Sequence, residues 1–145
     1  LKKDYDYVLL DCPPALNLVT VNALTAADAV LIPMQCEYYA LEGLSDLVKN
    51  IKKVRSNLNP KIEIEGLLKT LFDKRNMLAQ QVSDQLTAHF GDKVYETIIP
   101  RNVRLAEAPS HGMPILMYDR SSRGAVAYLK LAEEIIEKEM RKSHG

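Results

Sequence analysis

Short apolar runs alternate with longer amphipathic stretches along this chain, and the alternation predicts its elements. Tyr7-Val8-Leu9-Leu10 is a continuous apolar run that ends at Asp11, with Pro13 and Pro14 just beyond. Hydrophobicity that is continuous marks a strand buried on both faces, as in parallel sheets. Asn17 to Ala27 reads as a short helix, and Ala29-Val30-Leu31-Ile32 as a second buried strand stopped by Pro33. Leu41, Leu44, Val48, Ile51 and Leu58 share one face of a long helix. Asn59-Pro60 ends it, because proline cannot continue a helix and disfavours helical geometry at the residue before it.

Ile62 to Phe72 predicts a third strand, with Gly66 as the place where it would break. Leu78, Val82, Leu86 and Phe90 recur every fourth residue, an amphipathic helix closed by Gly91-Asp92. Val94 to Ile99 is a fourth strand ending at Pro100. The last helix starts at Ser121 or Ser122 and is expected to bury Val126, Leu129, Ala132, Ile136 and Met140. Glu134/Lys138 and Glu137/Arg141 are expected as pairs one turn apart on its wet side. Strands alternating with helices imply right-handed crossovers, hence a single α/β domain over 1–145 with a mostly parallel sheet flanked by helices.

Composition narrows the class. With 145 residues, 47% of them hydrophobic, and only six Gly and seven Pro, the chain can build a core and is neither disordered nor low-complexity. No apolar run approaches the roughly 20 residues that span a bilayer. The polar side of the last helix mixes both signs, which favours packing on a sheet over lying on a membrane. Nineteen basic residues balance nineteen acidic ones, so bulk charge predicts no nucleic-acid partner. Arg101, Arg104, Arg120 and Arg123 do cluster, but charge alone reads that stretch as a solvated loop. Cys12 and Cys36 fit no disulfide framework, which points to a reduced, cytosolic protein. The chain opens on Leu1 with neither an initiator Met nor a signal pattern, as a fragment of something longer would.

Candidate chemistry follows from topology, since ligands of open α/β sheets lie beyond the carboxyl ends of strands. Polar clusters stand at such places: Asp11-Cys12-Pro13-Pro14, Gln35-Cys36-Glu37, Asp73-Lys74-Arg75-Asn76 and Pro100-Arg101-Asn102. Nucleotide hydrolases hold Mg²⁺ through its water shell with a carboxylate placed like Asp11. A phosphoacceptor aspartate would need an acidic pair at another strand end, and none is evident; an aspartate that merely bonds its own loop is the third reading. Cys12 lacks a basic neighbour that would make it a nucleophile. His89, His111 and His144 lack metal-ligand spacing. The chain has no G-x-x-x-x-G-K-[ST] loop, so any nucleotide site here is half a site.

Four stretches together carry a family resemblance: YDYVLLDCPP from Tyr5, NALTAAD from Asn22, PMQCEYYALEGL from Pro33 and IPRNVRLAEAPS from Ile99. Over residues 4–140 the chain resembles the C-terminal part of the ParA/Soj-type chromosome or plasmid partitioning ATPases, of the deviant P-loop class that includes MinD. The resemblance implies the C-terminal part of a P-loop NTPase fold without its N-terminal P-loop unit. It implies ATP and Mg²⁺ as cofactors of the complete protein, with Asp11 as the catalytic Walker B aspartate near the metal. From Cys12 onward the chain would match the switch that senses the γ-phosphate. Pro100, Arg101 and Asn102 would cup adenine with Asp73 nearby, and Arg75 and Arg104 would contact DNA phosphates. An ATP-bound homodimer on non-specific DNA, a ParB-type centromere-binding partner that stimulates hydrolysis, and a cytoplasmic, nucleoid-associated location are further implications, with no membrane partner. A membrane-associated MinD-like positioning protein would need a basic amphipathic tail beyond Arg141-Lys142-Ser143-His144-Gly145. A nucleotide-independent regulatory fragment is the remaining alternative. Without Walker A, the chain alone is expected neither to hydrolyse ATP nor to bind it tightly, and to associate through an exposed sheet edge.

Overall fold

The computed structural model describes residues 1–13 and 15–145. Three strands form one sheet in the order β1 (Ala29–Met34), β2 (Glu63–Phe72), β3 (Val94–Pro100). The helices are α1 (Leu18–Ala26), α2 (Ala40–Asn57), α3 (Met77–Phe90), the short α4 (Val103–Glu107) and α5 (Ile115–Tyr118), and the long α6 (Arg123–His144). Among the described residues no helix is long and apolar enough to cross a membrane.

Helix starts follow local capping chemistry. The side chains of Asn17, Asn76, Asn102 and Ser122 accept from the backbone N–H three residues on, and so begin α1, α3, α4 and α6. Gly91 ends α3 with φ at +55°, which a residue without Cβ adopts at no steric cost.

β2 and β3 run parallel with Leu67 opposite Val94, Lys69 opposite Ile98 and Phe72 opposite Pro100. This register slips twice. Between its first two pairs β3 carries the extra residues, at 95–97, and between the next two β2 does, at 70–71. Leu71 sits in the second bulge with φ at +50°, the one non-glycine residue with positive φ among those described. Gly66 makes room for the ring of Tyr95, since a Cβ there would stand 2.5 Å from the ring.

The chain packs as two compact units, Leu1–Val30 with Gly43–Glu65, and Leu31–Glu42 with Gly66–Gly145. In the first, Leu24, Val54 and Ile62 form the core with Ala27 and Val30. Asn59 closes it by donating to the carbonyls of Leu24 and Ala27 at 3.0 and 2.8 Å. In the second, Leu68, Tyr95, Ile99, Ala127 and Leu131 are the core, joined by Leu31, Leu105 and Ile135. Gly124 brings α6 against Leu105, whose side chain occupies the space a Cβ would need.

Four expectations are corrected. Tyr7–Leu10 forms no strand and is exposed, Leu9 by 91%. A strand exists only through hydrogen bonds to a neighbour, and no described strand pairs with this run. On α6, Val126, Leu129, Ala132, Ile136 and Met140 are exposed, while Gly124, Ala125, Ala127 and Leu131 are buried. The small residues win the buried face because they allow close approach, and Glu134 and Lys138 lie half-buried beside them. Pro33 also continues β1, and Gly66 leaves β2 unbroken.

Candidate functional site

Asp11 lies in the first unit, exposed, with no hydrogen bond or ion pair among the described residues. Its neighbour Cys12 donates weakly to the Leu10 carbonyl at 3.4 Å. Pro14 of the same motif lies outside the described residues.

The second unit holds the other clusters. After β1, Cys36 is buried, and burial pushes its thiol up, against a smaller opposing pull from the Lys69 ammonium. That keeps it protonated and unreactive. Lys69 donates to the Ser83 hydroxyl at 2.9 Å and lies 5.1 Å above the Phe72 ring. Thr70 donates to the Met34 carbonyl at 3.3 Å, which ties β2 to the end of β1.

After β2, the chain turns back on itself through Asp73. Its carboxylate accepts from the Arg75 backbone N–H at 2.9 Å and from Arg75 Nε and Nη2 at 3.1 Å each. Such a two-pronged pairing fixes both side chains although Arg75 is 91% exposed. The Arg75 hydrogen bonds hold the Asp73 carboxyl below its usual range, and the charge of Arg101 adds to the effect. Asp73, Lys74, Arg75, Pro100, Arg101 and Arg123 line one groove. The structure therefore brings together three of the predicted nucleotide-site residues with Arg75. Asn102 instead turns to α4, where its Oδ1 accepts from the Leu105 N–H at 3.4 Å.

Arg104 is engaged differently. Its guanidinium bonds Glu107 at 3.1 Å and reaches Asp119 at 3.4 Å. Tyr118 donates to the same Glu107 oxygen at 2.7 Å, and that bond, together with Arg104, holds the Glu107 carboxyl low. The His111 ring stacks on Tyr118 at 4.7 Å. The apolar pattern predicts no element over 103–118, where α4 and α5 lie; the signals for them are Asn102 and Pro114 at their starts. No group of three or more His, Cys, Asp or Glu could hold a metal among the described residues. A single carboxylate such as Asp11 can still act through a metal's water shell.

A parallel sheet with helices, and polar loops at its strand ends, is the frame of a P-loop ATPase, and the comparisons agree. A family model described as an AAA domain matches residues 1–64. The cobyrinic acid a,c-diamide synthase of Mycobacterium smegmatis, solved with an ATP analog and magnesium, superposes with a TM-score of 0.71 at 32% identity. That match covers 93% of this chain and 50% of that one. The chromosome partitioning protein ParA of Caulobacter vibrioides is 58% identical over 93% of this chain and 51% of its own length. The sporulation initiation inhibitor protein Soj of Bacillus subtilis is 57% identical over 93% of the chain and 53% of its own. The chain is thus similar to ParA and Soj partitioning proteins over nearly all of its own length, and it spans about half the length of the curated relatives it matches.

Proposed function

We propose that this chain is part of an ATP-dependent DNA-partition ATPase, supplying residues that meet nucleotide, metal and DNA. The observation that carries the reading is the high identity to partitioning proteins, joined to the groove in which Asp73, Arg75, Pro100 and Arg101 meet. The residues fit such ligands. Asp11 has an exposed carboxylate without a protein partner among the described residues, as a group that bonds the water shell of Mg²⁺ requires. Arg75 donates three hydrogen bonds to the Asp73 carboxylate, which suits Asp73 to positioning rather than metal binding. Bound ATP would supply the γ-phosphate on which hydrolysis and switching depend.

In this reading Asp11 anchors the metal's waters and the segment from Cys12 responds to occupancy. Pro100 and Arg101 shape the adenine end, while Asn102 holds its backbone through α4. Arg75 and Arg104 face DNA phosphates in a homodimer, without sequence preference. A ParB-type protein stimulates release, and the assembly works on the nucleoid.

A chimera placing the P-loop half of a ParA relative ahead of Leu1 is expected to hydrolyse ATP faster with DNA, and Asp11→Ala to abolish turnover. DNA binding that ignores ATP in that chimera would overturn the switch. Arg75→Ala and Arg104→Ala are each expected to weaken binding alike across sequences and to reduce the salt slope by about 1, read by fluorescence anisotropy over a salt series. Unchanged affinity in both removes them from the interface.

A further inference from the structure

β3 ends the sheet order, so its outer side has no strand neighbour among the described residues. Its sequence, Val-Tyr-Glu-Thr-Ile-Ile-Pro, is rich in β-branched and aromatic residues and carries one charge. That composition recruits further strands when it lies on an open edge. Consecutive N–H groups of a regular strand point to opposite sides. At the 95–97 bulge two consecutive ones go to the same side chain. The Glu96 N–H donates to Glu134 Oε2 and the Thr97 N–H to Glu134 Oε1, each at 2.9 Å. The carboxylate occupies both donors and leaves neither for an incoming strand, and an ionised carboxylate offers that strand no donor of its own.

Glu134 is itself held. Lys138 Nζ stands 3.6 Å from its Oε2, with the two side chains only 23% and 15% exposed, Lys138 first. The same ammonium donates to the Asp92 carbonyl at 2.9 Å and lies 4.6 Å above the Tyr95 ring. It is thus pinned to Asp92, just before the strand, and to Tyr95 within it.

We propose that Glu134, clamped by Lys138, is an edge guard: it closes the outer side of β3 against addition of β3 from a second copy of this chain. Any association of the chain is thereby directed elsewhere than β3.

The test uses a Cys12→Ser background, because Cys36 is buried and Glu96→Cys then supplies the exposed thiol. Under mild oxidation, Glu134→Ala is expected to raise the disulfide-linked dimer through position 96 at least tenfold over the same protein with Glu134 intact. Hydrogen exchange at the Glu96 and Thr97 amides, read without the position-96 substitution, is expected to speed up at least tenfold. Equal dimer yields, or amides equally protected without the carboxylate, would overturn the proposal. If Glu134→Ala does not fold, Glu134→Gln decides. Its carboxamide puts an NH2, which cannot accept, where one of the two carboxylate oxygens stood, so the amide that met that oxygen is expected to accelerate and the other to stay slow. Two slow amides in that variant refute the guard.

Discussion

Leu71 occupies a backbone region that favours glycine, yet it stands in a strand where β-branched residues are normally welcome. The bulge reverses the usual order of substitutions there. Leu71→Val is expected to cost about 1–2 kcal/mol, and Leu71→Gly to be close to neutral, as urea unfolding would read. Glu134 gives a second prediction at this scale. Burial raises its carboxyl, but the Thr97 and Glu96 amides pull it down further, so it titrates below the usual range when folded. A lowered carboxyl contributes stability above its unfolded pKa of about 4.3, and the contribution disappears as pH falls through the folded value. Unfolding free energies from pH 7 to pH 3 should therefore drop less in Glu134→Gln than in the parent, with the difference confined to the acidic end. Equal slopes would detach Glu134 from the acid response. The Asp73–Arg75 fork was half legible: both residues stood out at a strand end, but a carboxylate gripping an arginine two positions on depends on the turn between them.

Elements defined by local chemistry were readable. α1 and α3 begin where an asparagine can cap them, and Val82 and Leu86 on the inner face of α3 lie where the helical repeat placed them. What depends on distant partners was not. Tyr7–Leu10 has the composition of a buried strand, but pairing is a property of its neighbours. α6 carries two apolar stripes, and which of them is buried depends on what the helix packs against, not on its own periodicity. Leu131→Ala is thus expected to cost about 2–5 kcal/mol, whereas Ile136→Ala and Met140→Ala stay within about 0.5. Thermal or denaturant unfolding of the three variants separates the two stripes, and a larger loss at Ile136 would restore the expected face.

At the scale of the whole molecule, the α/β class was legible from the alternation of apolar runs and amphipathic stretches and the family resemblance from four motifs, and the comparisons agree with both. The two-unit division was not, because it cuts through β1, α2 and β2 rather than at a linker. The register between β2 and β3 reaches furthest. From Leu67 to Phe72 the one strand advances five positions, while its partner advances six from Val94 to Pro100. Their up-and-down alternation is therefore out of phase beyond the bulges, and a shift of one position swaps the two faces of a strand. The odd position enters at 70–71, where β2 advances three positions against two in β3, so deleting a single residue there would bring the pair back into step. In this stretch length constrains the chain more tightly than composition does.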